Sequence, residues 1–333
     1  MKKKTIIILA ALATLVILGI IAILWLLNSR VYTTEPTRLY LPEDEYKSYK
    51  GLCDECDMND AFRLMVKIAG MEGKRVRPGS YVIEPGMKSL TLLRKLRNGQ
   101  QDPLRLTIGK FRTPQQLNEY LNSKLMHNDF EVPLDSFYII LPDTYEFYWT
   151  VTPEQFMQRM KKEYDKFWSE KIGANGECRF ELLSMSDFIP DIQLATIIIA
   201  SIVEEETNYG PEKPLIANVY WNRLDKGIPL QADPTVKYAV GNFTLKRILN
   251  KHLTVESPFN TYLHTGLPPA PICLPSKATI DAVINGEDLE TNYLYFCASE
   301  KLDGTHRFAA TLDEHNRNAA RFHKALNQLG IKK

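Results

Sequence analysis

The chain has 333 residues, 44% hydrophobic and 24% charged, which is the composition of a globular chain and not of a disordered one. Its 41 Lys plus Arg against 40 Asp plus Glu leave a net charge of +1, so a general nucleic-acid binder with its concentrated positive field is not expected, although a local basic patch stays open. The length exceeds one ordinary domain of about 100–200 residues, and two domains outside any membrane segment are expected.

Residues 5–27 carry no charge and are almost wholly apolar. At about 1.5 Å rise per residue they are long enough to cross a hydrocarbon core of about 30 Å. Lys2, Lys3 and Lys4 precede the run and only Arg30 follows closely. The positive-inside rule then puts residues 1–4 in the cytoplasm, the rest outside, and the chain in the inner (cytoplasmic) membrane as a single-pass protein. A cleaved signal peptide is the competing reading. Its apolar core is usually about 7–15 residues and ends in small residues, whereas Ile23-Leu24-Trp25-Leu26-Leu27 is bulky. A buried core helix is the third reading.

Residues 28–36 read as a polar tether and 37–105 as a small α/β module, either a ligand-gripping unit or a spacer. Within it, Arg38 to Leu41 predicts a strand. Asp60 to Ala69 has helical spacing, with Ala61, Leu64, Met65 and Ile68 on one face. Pro78-Gly79 signals a turn before a strand at Ser80 to Ile83. Ser89 is placed to cap a helix whose apolar side is Leu90, Leu92, Leu93 and Leu96, and Gly99 ends it. A further strand is expected at Leu104 to Ile108. Cys53-Asp-Glu-Cys56 has redox-motif spacing, but a lone pair lacks the two further ligands of a zinc site, so a local disulfide or two free thiols is expected instead of metal. The other cysteines are Cys178, Cys273 and Cys297, and the odd count leaves at least one without an intramolecular disulfide partner.

Residues 106–333 read as a larger mixed α+β domain. Helices are expected at Thr113 to Leu125 and Gln155 to Trp168, on either side of a Tyr- and Phe-rich stretch from Pro133 to Trp149. Ile192 to Thr207 reads IQLATIIIASIVEEET, apolar on nearly all sides and so a buried helix. Glu204, Glu205 and Glu206 then follow at steps of about 100°, pointing three ways. They cannot all reach solvent from a helix packed on most sides. A carboxyl held in a poorly hydrated cleft has a raised pKa and serves as a general acid near neutral pH. A solvated acidic helix end is the alternative, at a cost against the helix dipole.

Beyond the helix of Leu215 to Trp221, Leu230 to Thr235 reads as a polar loop. The proline-rich segment 266–275 is extended and stiff, suited to a cleft wall. Tyr293 to Phe296 predicts a strand and Glu314-His315-Asn316 a final helix. His306 and His315 lack a third ligand, so structural or substrate-binding roles are expected and no metal or cofactor is. Aromatics and amides around a carboxylic acid suit a sugar site. No Gly-rich phosphate loop, GxSxG elbow or zinc signature is present in the sequence.

Ala200-Ser201-Ile202-Val203-Glu204-Glu205-Glu206-Thr207 resembles the signature of the MltG/YceG-like endolytic murein transglycosylases. Further blocks match in order: Leu141 to Tyr145, Val219 to Leu224, Leu230 to Val236, Asn260 to Tyr262, Gly266 to Ile272 and Glu314 to Asn316. Ala270 stands where the family usually has Gly, and Leu274-Pro275-Ser276 where it usually has Asn-Pro-Gly, which implies a changed local backbone there. The resemblance implies an α+β fold with a LysM-like module at 37–105 and the catalytic domain at 106–333. It implies non-hydrolytic cleavage of the β-1,4 bond between N-acetylmuramic acid and N-acetylglucosamine in peptidoglycan strands, leaving 1,6-anhydromuramic ends. One carboxyl suffices there, unlike the pair of an ordinary glycosidase. Glu206 falls on the family's catalytic glutamate, with Glu204 the second candidate. Gln231, Asp233, Asn260 and Thr261 are expected to line the cleft, and Asn222 and Glu314 to be structural. Peptidoglycan synthases are the implied partners. A lysozyme-like hydrolase using Asp233 as second carboxylate and a catalytically silent wall-binding scaffold are the alternatives.

Overall fold

The apolar N-terminal run forms one helix, α1 (Lys2–Asn28), in the computed structural model, which describes residues 2–31, 33–171, 192–245, 247–287 and 289–328. None of its most apolar window is buried against protein, so α1 is no core helix; it is long and apolar enough to cross a membrane. Strand β1 (Thr37–Leu41) follows, then α2 (Tyr49–Glu55), α3 (Asp60–Ile68), β2 (Gly79–Ile83), α4 (Ser89–Asn98) and β3 (Leu104–Ile108). Next come α5 (Pro114–Lys124), α6 (Leu134–Phe137), β4 (Asp143–Phe147) and α7 (Pro153–Ser169). After the undescribed stretch 172–191, which contains Cys178, lie α8 (Ile192–Glu206), α9 (Lys213–Asp225), α10 (Asp233–Val240) and α11 (Asn250–Leu253). The last described elements are α12 (Lys277–Glu287), β5 (Tyr295–Ala298), β6 (His306–Ala309) and α13 (Leu312–Gln328). The strands form two-stranded sheets, β1 with β2, β3 with β4 and β5 with β6, which makes the fold mixed α+β.

Two units emerge. The first is Met1–Leu106 with Lys124–Asn128 and Glu146–Thr152; the second is Thr107–Ser123, Asp129–Tyr145 and Pro153–Lys333. In the first, β1 and β2 pair antiparallel from Thr37 opposite Ile83 to Leu41 opposite Gly79. Their inner residues meet Leu52, Phe62, Val66, Leu92 and Leu96 in one apolar cluster. Three details differ from the sequence pattern. On α3 the buried residues are Ala61, Phe62, Met65 and Val66, while Leu64 and Ile68 are 41% and 70% exposed. Phe62 and Val66 take the core positions because the larger aromatic ring removes more apolar area from water. Ser89 does not cap α4. Lys88 is the N-cap residue, and Ser89 is the first helical residue, buried with its hydroxyl unpartnered. Residues 29–31 are no loose tether, because Val31 N donates to Met87 O at 2.8 Å and Ser89 N to Ser29 O at 3.0 Å. Asn59 Nδ2 adds a bond to Arg30 O at 2.6 Å. Cys53 and Cys56 are free thiols, the first buried and the second exposed.

The second unit is built round α8. Every residue from Ala195 to Val203 is buried, as the all-round apolar run requires. Each fully buried Ile or Val there contributes roughly 1.5–3 kcal/mol of transfer free energy. α9 and α12 pack on it, with Ile216, Ala217, Tyr220, Ile280 and Val283 in the same cluster. A Cβ at Gly286 of α12 would lie 2.5 Å from Pro214 O and 2.9 Å from Ala217 Cβ, so the two helices approach this closely only because the residue is glycine. Asn218 on α9 closes the contact, donating to Gly286 O at 2.9 Å and Leu289 O at 2.8 Å. The proline-rich segment packs inward instead of walling a cleft. Ile272, Cys273 and Leu274 are buried, and Ile272 N donates to Ser201 Oγ of α8 at 3.0 Å.

Candidate active site

The last turn of α8 sends its three carboxylates to three places. Glu204 meets a cluster of donors: Lys213 Nζ at 2.9 Å, Ser276 Oγ at 3.1 Å and the Thr279 hydroxyl. Burial pushes its pKa up, but the Thr279, Lys213 and Ser276 donors outweigh that and hold it below the ordinary value. Glu205 pairs with Lys110 and Arg112, each at 3.1 Å. Together the three cations offset the cost of acidic residues at a helix C-terminus.

Among the described residues Glu206 has one donor, Tyr220 Oη at 2.8 Å from Oε1. Desolvation raises its pKa to about 7, against a smaller lowering by the Tyr220 hydroxyl and a further rise from the charge of Asp233. The Tyr220 hydroxyl occupies Oε1, which leaves Oε2 to carry the exchangeable proton. Tyr220 comes from the buried face of α9 and is itself raised well above its ordinary pKa by burial and by Glu206, so it stays a neutral donor.

Glu206 borders two cavities. One, about 350 Å³, is lined by Tyr220, Arg223, Gln231, Asp233, Tyr262 and His315 among others. The other, about 670 Å³, is lined by Asn208, Tyr209, Ser299, Thr305 and His306 among others. Glu206 therefore lines both cavities, and each offers aromatic faces and polar edges.

Of the residues expected in the cleft, Gln231 and Asp233 line the first cavity with Glu206. Asn260 and Thr261 do not. They are 0% and 2% exposed and turn inward. Asn260 Nδ2 donates to Leu253 O at 3.0 Å and Val255 O at 2.9 Å. Thr261 Oγ1 accepts from Ala232 N at 3.0 Å and lies 2.8 Å from Thr235 Oγ1. Their work is to hold the loop that presents Gln231 and Asp233. That loop is shorter than its composition implies, because Asp233 already begins α10. Pro234 suits the first helical turn and supplies the stop. Gln231 has φ 52, a left-handed conformation uncommon for a side chain of this size. Arg223 fixes it by donating to Pro229 O at 2.8 Å, Leu230 O at 3.1 Å and Gln231 Oε1 at 3.2 Å.

Sequence reasoning missed Tyr220, Arg223 and Tyr295 of this site. Tyr220 and Arg223 sit inside an apolar helix pattern, where a tyrosine or arginine reads as packing; the local signal was their place beside Asn222. Tyr262, whose hydroxyl donates to Asp233 Oδ1 at 2.7 Å, completes the aromatic wall. Asn222 is structural, donating to Thr291 O and Tyr293 O, each at 3.0 Å. Glu314 Oε2 accepts from Ala310 N at 3.3 Å just ahead of α13. His306 pairs with Glu212 at 2.9 Å. His315 lines the first cavity with Nδ1 unpartnered, and burial followed by the charge of Arg223 lowers its pKa. Among the described residues no cluster of three metal-ligating side chains occurs.

The profile of the YceG-like family matches residues 50–321. A Bacillus subtilis protein named endolytic murein transglycosylase is 33% identical over 215 residues, which is 63% of this chain and 52% of that protein. A Streptococcus pneumoniae protein of the same name is 34% identical over 128 residues, 37% of this chain and 23% of that protein. The aligned stretch thus spans about half of the first curated relative and less of the second. The crystal structure of a yceG-like protein from Listeria monocytogenes superposes with a TM-score of 0.51 at 26% identity, covering 86% of this chain and 99% of that one. With the family profile extending over most of its length, this chain belongs to the YceG-like family.

Proposed function

We propose that the protein is a membrane-anchored endolytic peptidoglycan transglycosylase with Glu206 as its single acid–base group. The observation that carries this reading is Glu206 itself, a carboxyl with a pKa raised to about 7 that lines both cavities. A glycan strand cut internally must have sugars on both sides of the acid, and two cavities sharing one carboxyl offer that room. At pH 7 about half of such a group is protonated, against roughly 0.3% for an unperturbed glutamate.

In the cleavage, Glu206 Oε2 gives its proton to the oxygen linking N-acetylmuramic acid C1 to N-acetylglucosamine. As that C–O bond breaks, the muramic 6-hydroxyl oxygen bonds to C1 and its proton passes to the Glu206 carboxylate. The glutamic acid is regenerated, one strand ends in 1,6-anhydromuramic acid, and no water is consumed. Tyr220 holds Glu206 in place, while Gln231, Asp233 and the Tyr262 face bind sugar hydroxyls and rings. Asp233 in the same cavity favours one second reading, a muramidase in which it activates a water. Residues 37–105 act as the LysM-like module that grips the strand, residues 106–333 as the catalytic domain, and α1 as the anchor with its N-terminus in the cytoplasm. Peptidoglycan synthases, which make the strands, are the partners, and cleavage ends their elongation.

The deciding experiment digests purified glycan strands with the full chain in detergent and reads the new ends by mass spectrometry. Anhydromuramic ends that disappear with Glu206→Gln are expected. Reducing ends would replace this reading with the muramidase, and cleavage that survives Glu206→Gln would remove Glu206 from the mechanism.

A further inference from the structure

The first unit carries an apolar groove whose lining continues from its core through Met65, Met71 and Leu93. It measures about 450 Å³ and is lined by Leu26 and Leu27 from the last turn of α1, Ile68 of α3, and Leu90 and Leu93 of α4. Ile68 is 70% exposed there, an unusual position for an isoleucine in a folded module. Arg94 and Arg97, three apart on α4 and so on one face, form the polar edge. Both are exposed, and among the described residues neither makes an ion pair.

Its height is fixed by the chain itself. α1 ends at Asn28, and Ser29 and Val31 are tied by backbone bonds to Ser89 and Met87 at the start of α4. The groove therefore sits on the end of the apolar helix with no flexible spacer between them. Trp25, 54% exposed in the last turns of α1, suits the interfacial layer where Trp side chains concentrate. With α1 across the bilayer, the apolar lining meets acyl chains and the two guanidinium groups meet the phosphate layer, where planar bidentate donors are favoured.

We propose that this groove binds an anionic phospholipid of the outer leaflet, with an acyl chain along Leu27, Ile68 and Leu93 and the headgroup phosphate held by Arg94 and Arg97. The proposal rests on the reading of α1 as a membrane span. It makes the first unit a lipid-reading element as well as a glycan-side module.

The test uses the full-length chain in detergent, titrated with phosphatidylglycerol or phosphatidylcholine, with retained lipid counted by native mass spectrometry. The wild-type chain retains phosphatidylglycerol in preference to phosphatidylcholine. Arg94→Gln and Arg97→Gln each lower that retention about fivefold, the effect of removing one basic residue near anionic lipid. Ile68→Asp, at an exposed position, lowers retention of both lipids, and Arg105→Gln, exposed but outside the groove, changes neither. Equal retention of the two lipids by wild type, or no change in either arginine variant, overturns the site. Alkaline carbonate extraction of membranes holding the full chain checks the anchor separately. Release into the wash sinks the membrane span itself, whereas firm retention without a phosphatidylglycerol preference sinks the lipid site alone.

Discussion

Glu204 and Glu206 lie on one helical turn of α8, two residues apart, in surroundings of opposite effect. On the Glu204 side an ammonium and two hydroxyls converge on one carboxylate oxygen, and the pKa falls. On the Glu206 side one tyrosine hydroxyl is the donor among the described residues, Asp233 adds negative charge, and burial raises the pKa to about 7. Both groups lose hydration. What separates them is the number and charge of donors that replace the water. The comparison teaches that a carboxyl's pKa is raised here by withholding partners, while its neighbour's is lowered by supplying them.

The largest expected effect would break that comparison outright. Glu206→Gln should lower strand cleavage by roughly 10²–10⁴-fold, the usual span for loss of a general acid, while Glu204→Gln keeps activity in whatever fraction stays folded. Loss with Glu204→Gln alone, assayed as new anhydro ends per folded protein, would reverse the two roles. Next in size, Glu204→Ala leaves Lys213, 13% exposed, with the Thr279 hydroxyl but without its carboxylate, at a cost of ~3 kcal/mol in unfolding free energy by denaturant titration. A loss no larger than that of an exposed pair would mean the donor cluster is decoration.

A third outcome has the opposite sign. The folded pKa of Glu206 lies above its ordinary value of 4.5, so the folded state holds that proton more tightly. The stability it supplies is fully present below about pH 4.5 and is lost as pH rises towards 7. Glu206→Gln should therefore stabilise the fold by on the order of 1–2 kcal/mol above pH 7, after discount for its partial exposure, and change little at acid pH. Melting curves at two pH values decide it; an equal shift at both would remove the linkage. The smallest effect sharpens the picture. Tyr220→Phe removes a hydroxyl that lowers the Glu206 pKa, so the alkaline limb of the pH–rate profile should move up by about one unit or less. A downward move would mean that the tyrosine favours the protonated acid.

Much of the fold was legible because local chemistry agrees with tertiary outcome. Pro-Gly at 78–79 and Gly99 at φ 67 punctuate β2 and α4 as their conformational freedom requires. The run from Ile192 to Val203 could only be a buried helix. The apolar face of α3 was misread by two positions, since Leu64 and Ile68 repeat at the same helical spacing as the true core residues Phe62 and Val66. Periodicity registers a face without saying which face meets the core. The family resemblance leads one to expect Asn260 and Thr261 in the cleft. Side chains of that kind serve equally well to satisfy buried backbone groups, and here they do.

The sequence by itself determined that α8 is buried, that its last turn fans three carboxylates about 100° apart, and that one of them must meet something other than water. It determined the membrane-length helix in the same way, by an uncharged run whose length is set against a bilayer. Only the tertiary structure decided which glutamate has its pKa raised and which has it lowered. Lys110, Lys213, Tyr220 and Thr279 lie at widely different distances along the chain, and their arrival around α8 is a result of packing. A pKa is set by what stands within a few ångströms in space, and sequence spacing carries that information only within a single turn.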